Sequence, residues 1–377
     1  MDRQGPTDVI IVGGGVIGCS IAYYLAREGV KVTVLDKGEI GGEASRAAAG
    51  MLAPLAEVEE DGPFQALALA GLRLFPHLSE ALEQESGVDI EYLRSGILRV
   101  ALTEEQAEHL KGFPHRRPSP GLELHWLEPD GLRALEPGLS PEVRGALYSP
   151  EEHQVNADRL AQALTRAAAA RGAVVRQDTR AIGLVRRGVR VTGVRVTGVR
   201  IPDGTLSAGH VVLAAGAWTA KIAQGIGVDL PVFPVRGQMI ALPASRSALR
   251  HIVWGEEGYL VPKANGLIFA GATVERVGFR KNVTVRGLSG LKRMAGSLVP
   301  RLAGLDAVDA WAGFRPGSAD GLPILGPVPG WEGLSVACGH FRNGILLAPI
   351  TGQLIARSIL DGSSNEALAP FSPARFL

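Results

Sequence analysis

Residues 8–12, DVIIV, form a short apolar run with no polar alternation, closed by glycines at 13, 14, 15 and 18. An unbroken run of this length with β-branched residues reads as a strand buried on both faces. IAYYLAREG then spaces its apolar residues at helical period, and KVTVLDK returns to a strand that ends at Asp36. Strand, glycine-rich turn, helix and strand make one βαβ unit. Further on, FQALALAGLRLFPHLSEALEQES (64–86) has helical period with a break expected before Pro76. GILRVAL (96–102) reads as strand, 103–112 as helix, and the polar, proline-rich 114–121 as loop.

The same alternation returns in mid-chain. A helix is expected from NADRLAQALTRAAAARG, capped near Asn156 or Ala157–Asp158 and stopped by Gly172, with AVVRQ as the strand after it. Residues 181–201 alternate like a hairpin, and HVVLAAGAW (210–218) is a buried strand running into small residues. The stretch 231–275 is strand-rich, 286–299 is helical, and the tail returns to glycine-rich crossings that lead into the helix TGQLIARSIL.

These patterns predict an α/β protein in which a Rossmann-like domain is interleaved with a mixed, mainly antiparallel sheet domain. The expected division is 1–87, 150–220 and 308–377 for a discontinuous cofactor domain, with 88–149 and 221–307 for a substrate domain. A length of 377 residues suits two domains. The composition is that of a globular chain, with 46% apolar and 20% charged residues. A formal net charge of +1 supplies no field for gathering nucleic acid. Cys19 and Cys338 have no CxxC partners, which argues against a disulfide scaffold, a zinc ribbon or an iron–sulfur cluster and fits a reducing compartment. The N-terminal apolar run is broken by glycines too early for a signal peptide or a membrane span.

VIIVGGGVIG supplies GxGxxG as Gly13, Gly15 and Gly18. The first glycine permits the tight turn, the second lets the backbone approach a pyrophosphate, and the third lets helix and strand pack closely. Val16 and Ile17 open the helix whose N-terminal amides face that diphosphate. Asp36, followed by Lys37, stands where a carboxylate accepts from ribose hydroxyls, which disfavours a 2′-phosphate. Three later stretches favour FAD over NAD. The small residues of GGEASRAAAGML, among them Ser45, Arg46, Ala48, Ala49, Gly50 and Met51, let the chain run along a pyrophosphate and ribityl chain. Ala215, Gly216 and Trp218 mark a second crossing, with Val175 on a neighbouring strand. The turn His340–Phe341–Arg342–Asn343–Gly344, with Ile345 and Leu346, aims a helix start at the electron-rich edge of a flavin.

VIIVGGGVIGCSIAYYLAREG, EASRAAAGML, WAGFRPGSADGLPILG and CGHFRNGILLAP, in this order, closely resemble the D-amino-acid oxidase–like flavoproteins, and within them the glycine oxidase branch of thiamine biosynthesis. The resemblance runs from residue 8 to about 360. It implies a p-hydroxybenzoate-hydroxylase-like architecture, non-covalent FAD, a cytoplasmic homotetramer and no membrane partner. Cys338 lies in the C-terminal cofactor segment, and covalent flavin attachment in related sarcosine oxidases uses a different local sequence. The implied reaction passes the α-hydride of glycine, sarcosine or a small D-amino acid to flavin N5. Imine, then glyoxylate and ammonia follow, with O2 reduced to hydrogen peroxide and the imine available to the thiazole synthase machinery. The flavin does the chemistry, so no catalytic side chain is expected.

The resemblance also makes Arg315 the carboxylate anchor, and its planar fork suits a carboxylate better than a lysine would. Arg342 either lines the pocket or braces the turn. Trp254 stands where the family carries a substrate-facing aromatic and is either pocket wall or a core or interface residue, with Tyr259 as the alternative whose hydroxyl would reach the carboxylate. Met51 is either a contact of the ring or core filling, and His340 either tunes oxygen reactivity or holds a backbone carbonyl. The acidic EVEEDG (57–62) reads as a solvated entrance loop, and no histidine has metal-ligand spacing. Two other functions stay open: a D-amino-acid or sarcosine dehydrogenase of the same fold, and a non-catalytic flavin-bearing subunit of a complex.

Overall fold

The computed structural model describes residues 7–57, 62–113, 122–189, 193–244, 248–362 and 365–377. The proline-rich 114–121 and most of the acidic 57–62 stretch lie outside them.

Two large sheets organise the chain. In the first, Ile324–Pro327, Leu334–Cys338, Gly204–Leu213, Thr7–Val12, Val32–Leu35 and Val174–Arg176 lie side by side in that order. From Leu334–Cys338 to Val174–Arg176 every pairing is parallel. Alternation along Thr7–Val12 separates two cores. Val9 and Ile11 face the helices Val16–Arg27, Pro63–Ser86, Ala157–Ala170 and Gly344–Asp361. Ile10 and Val12 face a layer built on the hairpin Gly183–Val189 and Gly193–Ile201. With both faces covered, the strand has no solvent side, which is why DVIIV carries no polar alternation.

The helix Pro63–Ser86 runs through Pro76 without the expected break. Proline removes one intrahelical bond, but Leu72, Phe75, Leu78 and Leu82 are buried around it and hold the helix in place. Gly71 allows the close crossing, since a Cβ there would lie 2.6 Å from the Leu346 carbonyl oxygen. The helix at 157 starts as expected, with the Asn156 side chain accepting from the Arg159 N–H.

The second sheet runs Asp309–Ser318, Val232–Pro243, Leu267–Gly271, Gly258–Pro262, Ile252–Gly255, Ile97–Ala101, Gly145–Ser149 and His125–Leu127. All its pairings are antiparallel except Ile252–Gly255 with Ile97–Ala101. Asp309–Ser318 is in register with Val232–Pro243 over ten residues, so it belongs to this sheet, whereas its sequence neighbours grouped it with the C-terminal cofactor segment. Along Val232–Pro243, Ile240 and Leu242 pack against the helix Val285–Leu298 on one face. Met239 lies on the other face with Tyr259, Val261, Ala49 and Ala53. That second face looks towards the parallel sheet's glycine turns.

Candidate active site

A cleft of about 810 Å³ lies along those turns, within the range of cofactor sites. Gly13 has φ +113°, and a Cβ on it would sit 2.4 Å from the Ala214 carbonyl oxygen. A Cβ on Gly18 would sit 1.9 Å from the Gly13 carbonyl oxygen. These two glycines are needed by the protein itself. Gly15 is different: only the Ser45 Oγ lies near its would-be Cβ, at 3.4 Å, and the remaining space is the cleft. Nothing in the fold requires glycine there, so the open cradle fits a ligand that comes against the backbone.

Asp36 lines the same cleft with both oxygens oriented, Oδ2 accepting from Gly14 N–H at 2.7 Å and Oδ1 from Gly38 N–H at 3.0 Å. Burial raises its pKa, and these two bonds work against the rise. Lys37 Nζ sits 3.4 Å from the Trp218 ring centroid, and burial lowers its pKa. Ser45 accepts the Val16 N–H at 2.9 Å and ties the 44–53 segment to the helix start. Among the described residues the cleft wall carries the cations Lys37, Arg180, Arg200, Lys221, Arg315 and Arg342 against the acids Asp36, Glu39 and Glu43. That excess, the cradle at Gly15 and the held carboxylate at Asp36 together fit a dinucleotide diphosphate.

At the antiparallel-sheet end, Arg315 lies across the neighbouring strand. Gly237 makes room for it, since a Cβ there would fall 2.3 Å from Arg315 Nη1. Nη1 donates to the Thr273 carbonyl at 2.9 Å. No carboxylate among the described residues pairs with this guanidinium, which opens on the cleft. Met51, Ala49, Met239 and Tyr259 form the apolar wall beside it.

Of the other residues singled out by sequence, Val16, Ile17, Ala48, Gly50, Ala215, Gly216, Phe341, Asn343, Gly344 and Ile345 line the cleft. Four do not. Arg46 turns outward to Glu39 at 2.7 Å and Asp158 at 3.3 Å, where water solvates the pairs. Val175 stays within its edge strand, and Leu346 is buried in the helix-side core, one position past the turn that reaches the cleft. Trp254 stands beside Tyr259 on the same face of the sheet but outside the cleft lining, 5.4 Å from the Tyr259 ring and with the Arg342 guanidinium 5.3 Å from its own ring. Tyr259 does line the cleft, but its hydroxyl donates to Met239 Sδ at 3.4 Å. His340 bonds the Thr351 hydroxyl at 3.1 Å instead of a backbone carbonyl, and burial pushes its pKa down to about 3. The imidazole is therefore neutral. Burial pushes the Cys338 thiol up to about 12, which keeps it protonated and a poor nucleophile.

Lys263 is the residue that sequence patterns missed. Its buried ammonium donates to the Ala49 carbonyl at 3.1 Å, Gln154 Oε1 at 3.0 Å and the Val155 carbonyl at 3.1 Å. It ties the Ala49–Met51 wall to the strand His153–Gln154, and a lone lysine before an Asn-Gly turn gives no sign of this. Among the described residues no cluster of three or more His, Cys, Asp or Glu could hold a metal ion, and no helix is long and apolar enough to cross a membrane.

Comparison with known proteins agrees with this geometry. The glycine oxidase of Geobacillus kaustophilus is 38% identical over 372 residues, covering 98% of this chain and 97% of the relative. The bifunctional protein ThiO/ThiG of Synechocystis is 37% identical over 381 residues, covering 99% of this chain and 55% of the relative. The crystal structure of glycine oxidase from Geobacillus kaustophilus superposes with a TM-score of 0.93 at 36% identity, covering 99% of this chain and all of that one. Residues 8–358 match the DAO family, described as FAD dependent oxidoreductase, and with a cleft shaped for a dinucleotide at its glycine turns the chain belongs to that family.

Proposed function

We propose that this enzyme is a glycine oxidase that uses FAD held without a covalent bond. The observation that carries the substrate class is Arg315, a guanidinium with no carboxylate partner among the described residues, laid over Gly237 and open to the cleft. A planar fork so placed suits an amino-acid carboxylate held in two hydrogen bonds. A flavin held along the Gly15 cradle and Asp36 would supply the two-electron oxidant for the amine, with O2 as final acceptor reduced to hydrogen peroxide. The imine left behind adds water and yields glyoxylate and ammonia.

The chain's own residues bind, orient and exclude water. Gly15 lets the diphosphate approach, Asp36 accepts from the ribose, and Lys37, Arg180 and Arg200 balance negative charge. Arg315 fixes the substrate carboxylate, and Met51, Met239 and Tyr259 give the α-carbon an apolar wall with space for a small side chain. Arg342, fixed against Trp254, braces the turn at the flavin edge. Cys338 is a poor candidate for attachment because its thiol stays protonated. The function rests on a division of labour in which the parallel sheet holds the cofactor and the antiparallel sheet holds the substrate. Pairing of ThiO with ThiG in one polypeptide of the relative supports supply of the imine to thiazole formation. The family resemblance extends the reading to a cytoplasmic homotetramer, which sedimentation of the purified holoenzyme tests.

Peroxide release is the direct assay. Glycine and sarcosine should be turned over, and methylamine, which lacks the carboxylate, should not be. Equal rates on methylamine would remove the assigned role of Arg315.

A further inference from the structure

The strand Val232–Pro243 has one face on the cleft and the other on the helix Val285–Leu298, and a polar cluster centred on the buried Gln238 and Arg236 lies on that far face. Gln238 is fully buried, and its Nε2 donates to Glu275 Oε1 at 2.7 Å and Thr284 Oγ1 at 3.1 Å. Its Oε1 accepts the Thr284 N–H at 2.7 Å. Arg236, 6% exposed, donates to Glu275 through Nε at 2.6 Å and also through Nη2. Burial works to raise the Glu275 pKa, but donors from Arg236, Gln238 and Thr273 outweigh it and hold the carboxylate ionised. Asn282 completes the set, accepting from Arg236 Nη1 at 2.8 Å. Every partner of this cluster lies away from the cleft, so cofactor binding does not explain it.

One residue belongs to both faces. Thr273 uses its hydroxyl on the cluster side, accepting the Gln238 backbone N–H at 2.9 Å and helping to hold the Glu275 pKa down. Its carbonyl points the other way and accepts from Arg315 Nη1 at 2.9 Å. Among the described residues that carbonyl is the one hydrogen-bond acceptor of the Arg315 side chain. The position of the guanidinium therefore follows the position of Thr273, and Thr273 is set by Glu275 and Gln238. We infer that Thr273 and Glu275, backed by Gln238 and Arg236, are positioning residues that fix the Arg315 fork for its carboxylate ligand from the opposite face of the sheet.

This inference rests on the carboxylate role proposed for Arg315, and the experiment separates the two. Glycolate keeps glycine's carboxylate and carries no amine, so its binding to the holoenzyme is read from the shift in the flavin absorbance spectrum. Thr273→Val keeps the shape and removes the hydroxyl. Its dissociation constant for glycolate should rise about tenfold, as expected when one hydrogen bond that orders a binding group is lost. The KM for glycine should rise in parallel, while kcat at saturating glycine and flavin retention stay near the parent values. Thr273→Ser should restore glycolate binding. Unchanged glycolate binding in Thr273→Val would overturn the inference, as would equal losses of kcat, flavin retention and glycolate affinity, the mark of general loosening. If Thr273→Val does not retain flavin, Glu275→Gln takes its place, with glycolate binding weakened several-fold expected and unchanged binding overturning the inference. Arg315→Ala serves as the control: if it binds glycolate like the parent, the carboxylate role fails first, whereas loss in Arg315→Ala with none in Thr273→Val and Glu275→Gln refutes only the positioning.

Discussion

Arg315→Ala removes the whole fork and leaves the Thr273 carbonyl to water. The guanidinium is half-buried, it has no carboxylate partner among the described residues, and Gly237 leaves the space beside it empty. Its removal should therefore cost the fold little and the substrate much. Truncating one partner of a desolvated charge pair costs about 2–5 kcal/mol, so KM for glycine should rise by about 30-fold to several thousand-fold. Steady-state peroxide release gives KM, and the flavin absorbance of the purified variant shows whether FAD is still held. The expected result is a holoenzyme with a normal flavin spectrum and a steeply raised KM. Arg315→Lys, which keeps charge and loses the planar fork, should fall between the two. A parent-like KM in Arg315→Ala, with flavin bound, would refute the reasoning from the open guanidinium.

Gly237→Ala should act on the same group by crowding, because its Cβ would meet Arg315 Nη1 at 2.3 Å while the backbone φ is ordinary; KM for glycine should rise at least several-fold with FAD retained, and a parent-like KM would mean the fork is free to move. Gly15→Val should yield protein that folds but is purified without flavin, since the added side chain fills the cradle instead of striking protein; a full flavin spectrum would contradict this. Lys263→Met leaves three acceptors without their donor at about 1–3 kcal/mol each, so thermal unfolding should move down by several degrees and FAD affinity should weaken, as differential scanning and fluorescence titration would report. His340 and His210 are buried with pKa values pushed down to about 3 and about 4, so below the ordinary histidine pKa the unfolded chain binds protons that the folded chain does not. Stability should then fall with pH between about 6.5 and 4 by up to about 1.4 kcal/mol per unit for each group, and urea midpoints should fall less steeply for His340→Gln than for the parent.

The βαβ unit was legible because its strand is buried on both sides and its turn demands glycine at fixed places. Gly13 and Gly18 are explained by protein contacts alone, whereas Gly15 acquires a reason only once the cleft is seen. Arg315 could be picked out by its neighbours, but its freedom from a carboxylate could not, because that depends on strand register with Val232–Pro243. The same register puts Asp309–Ser318 in the mainly antiparallel sheet. Arg46 shows the opposite: it lies within a stretch that approaches the cleft, yet its side chain leaves for acids across the surface, while Trp254 stands beside Tyr259 at the margin of the cleft lining. Lys263 and Gln238 were illegible because their partners, Ala49, Gln154 and Val155 for the one and Glu275 and Thr284 for the other, are distant in sequence, which no local pattern encodes. The helix continues across Pro76 because the core holds it there, which local propensity does not express.

The most direct test of the central claim is an anaerobic absorbance spectrum of the purified holoenzyme, recorded before and after glycine is added. A glycine oxidase should lose its oxidised flavin bands on mixing and regain them when air is admitted, with hydrogen peroxide released in proportion. An oxidised spectrum that glycine leaves unchanged would contradict the assignment, and bleaching that air does not reverse would make the enzyme a dehydrogenase with another electron acceptor.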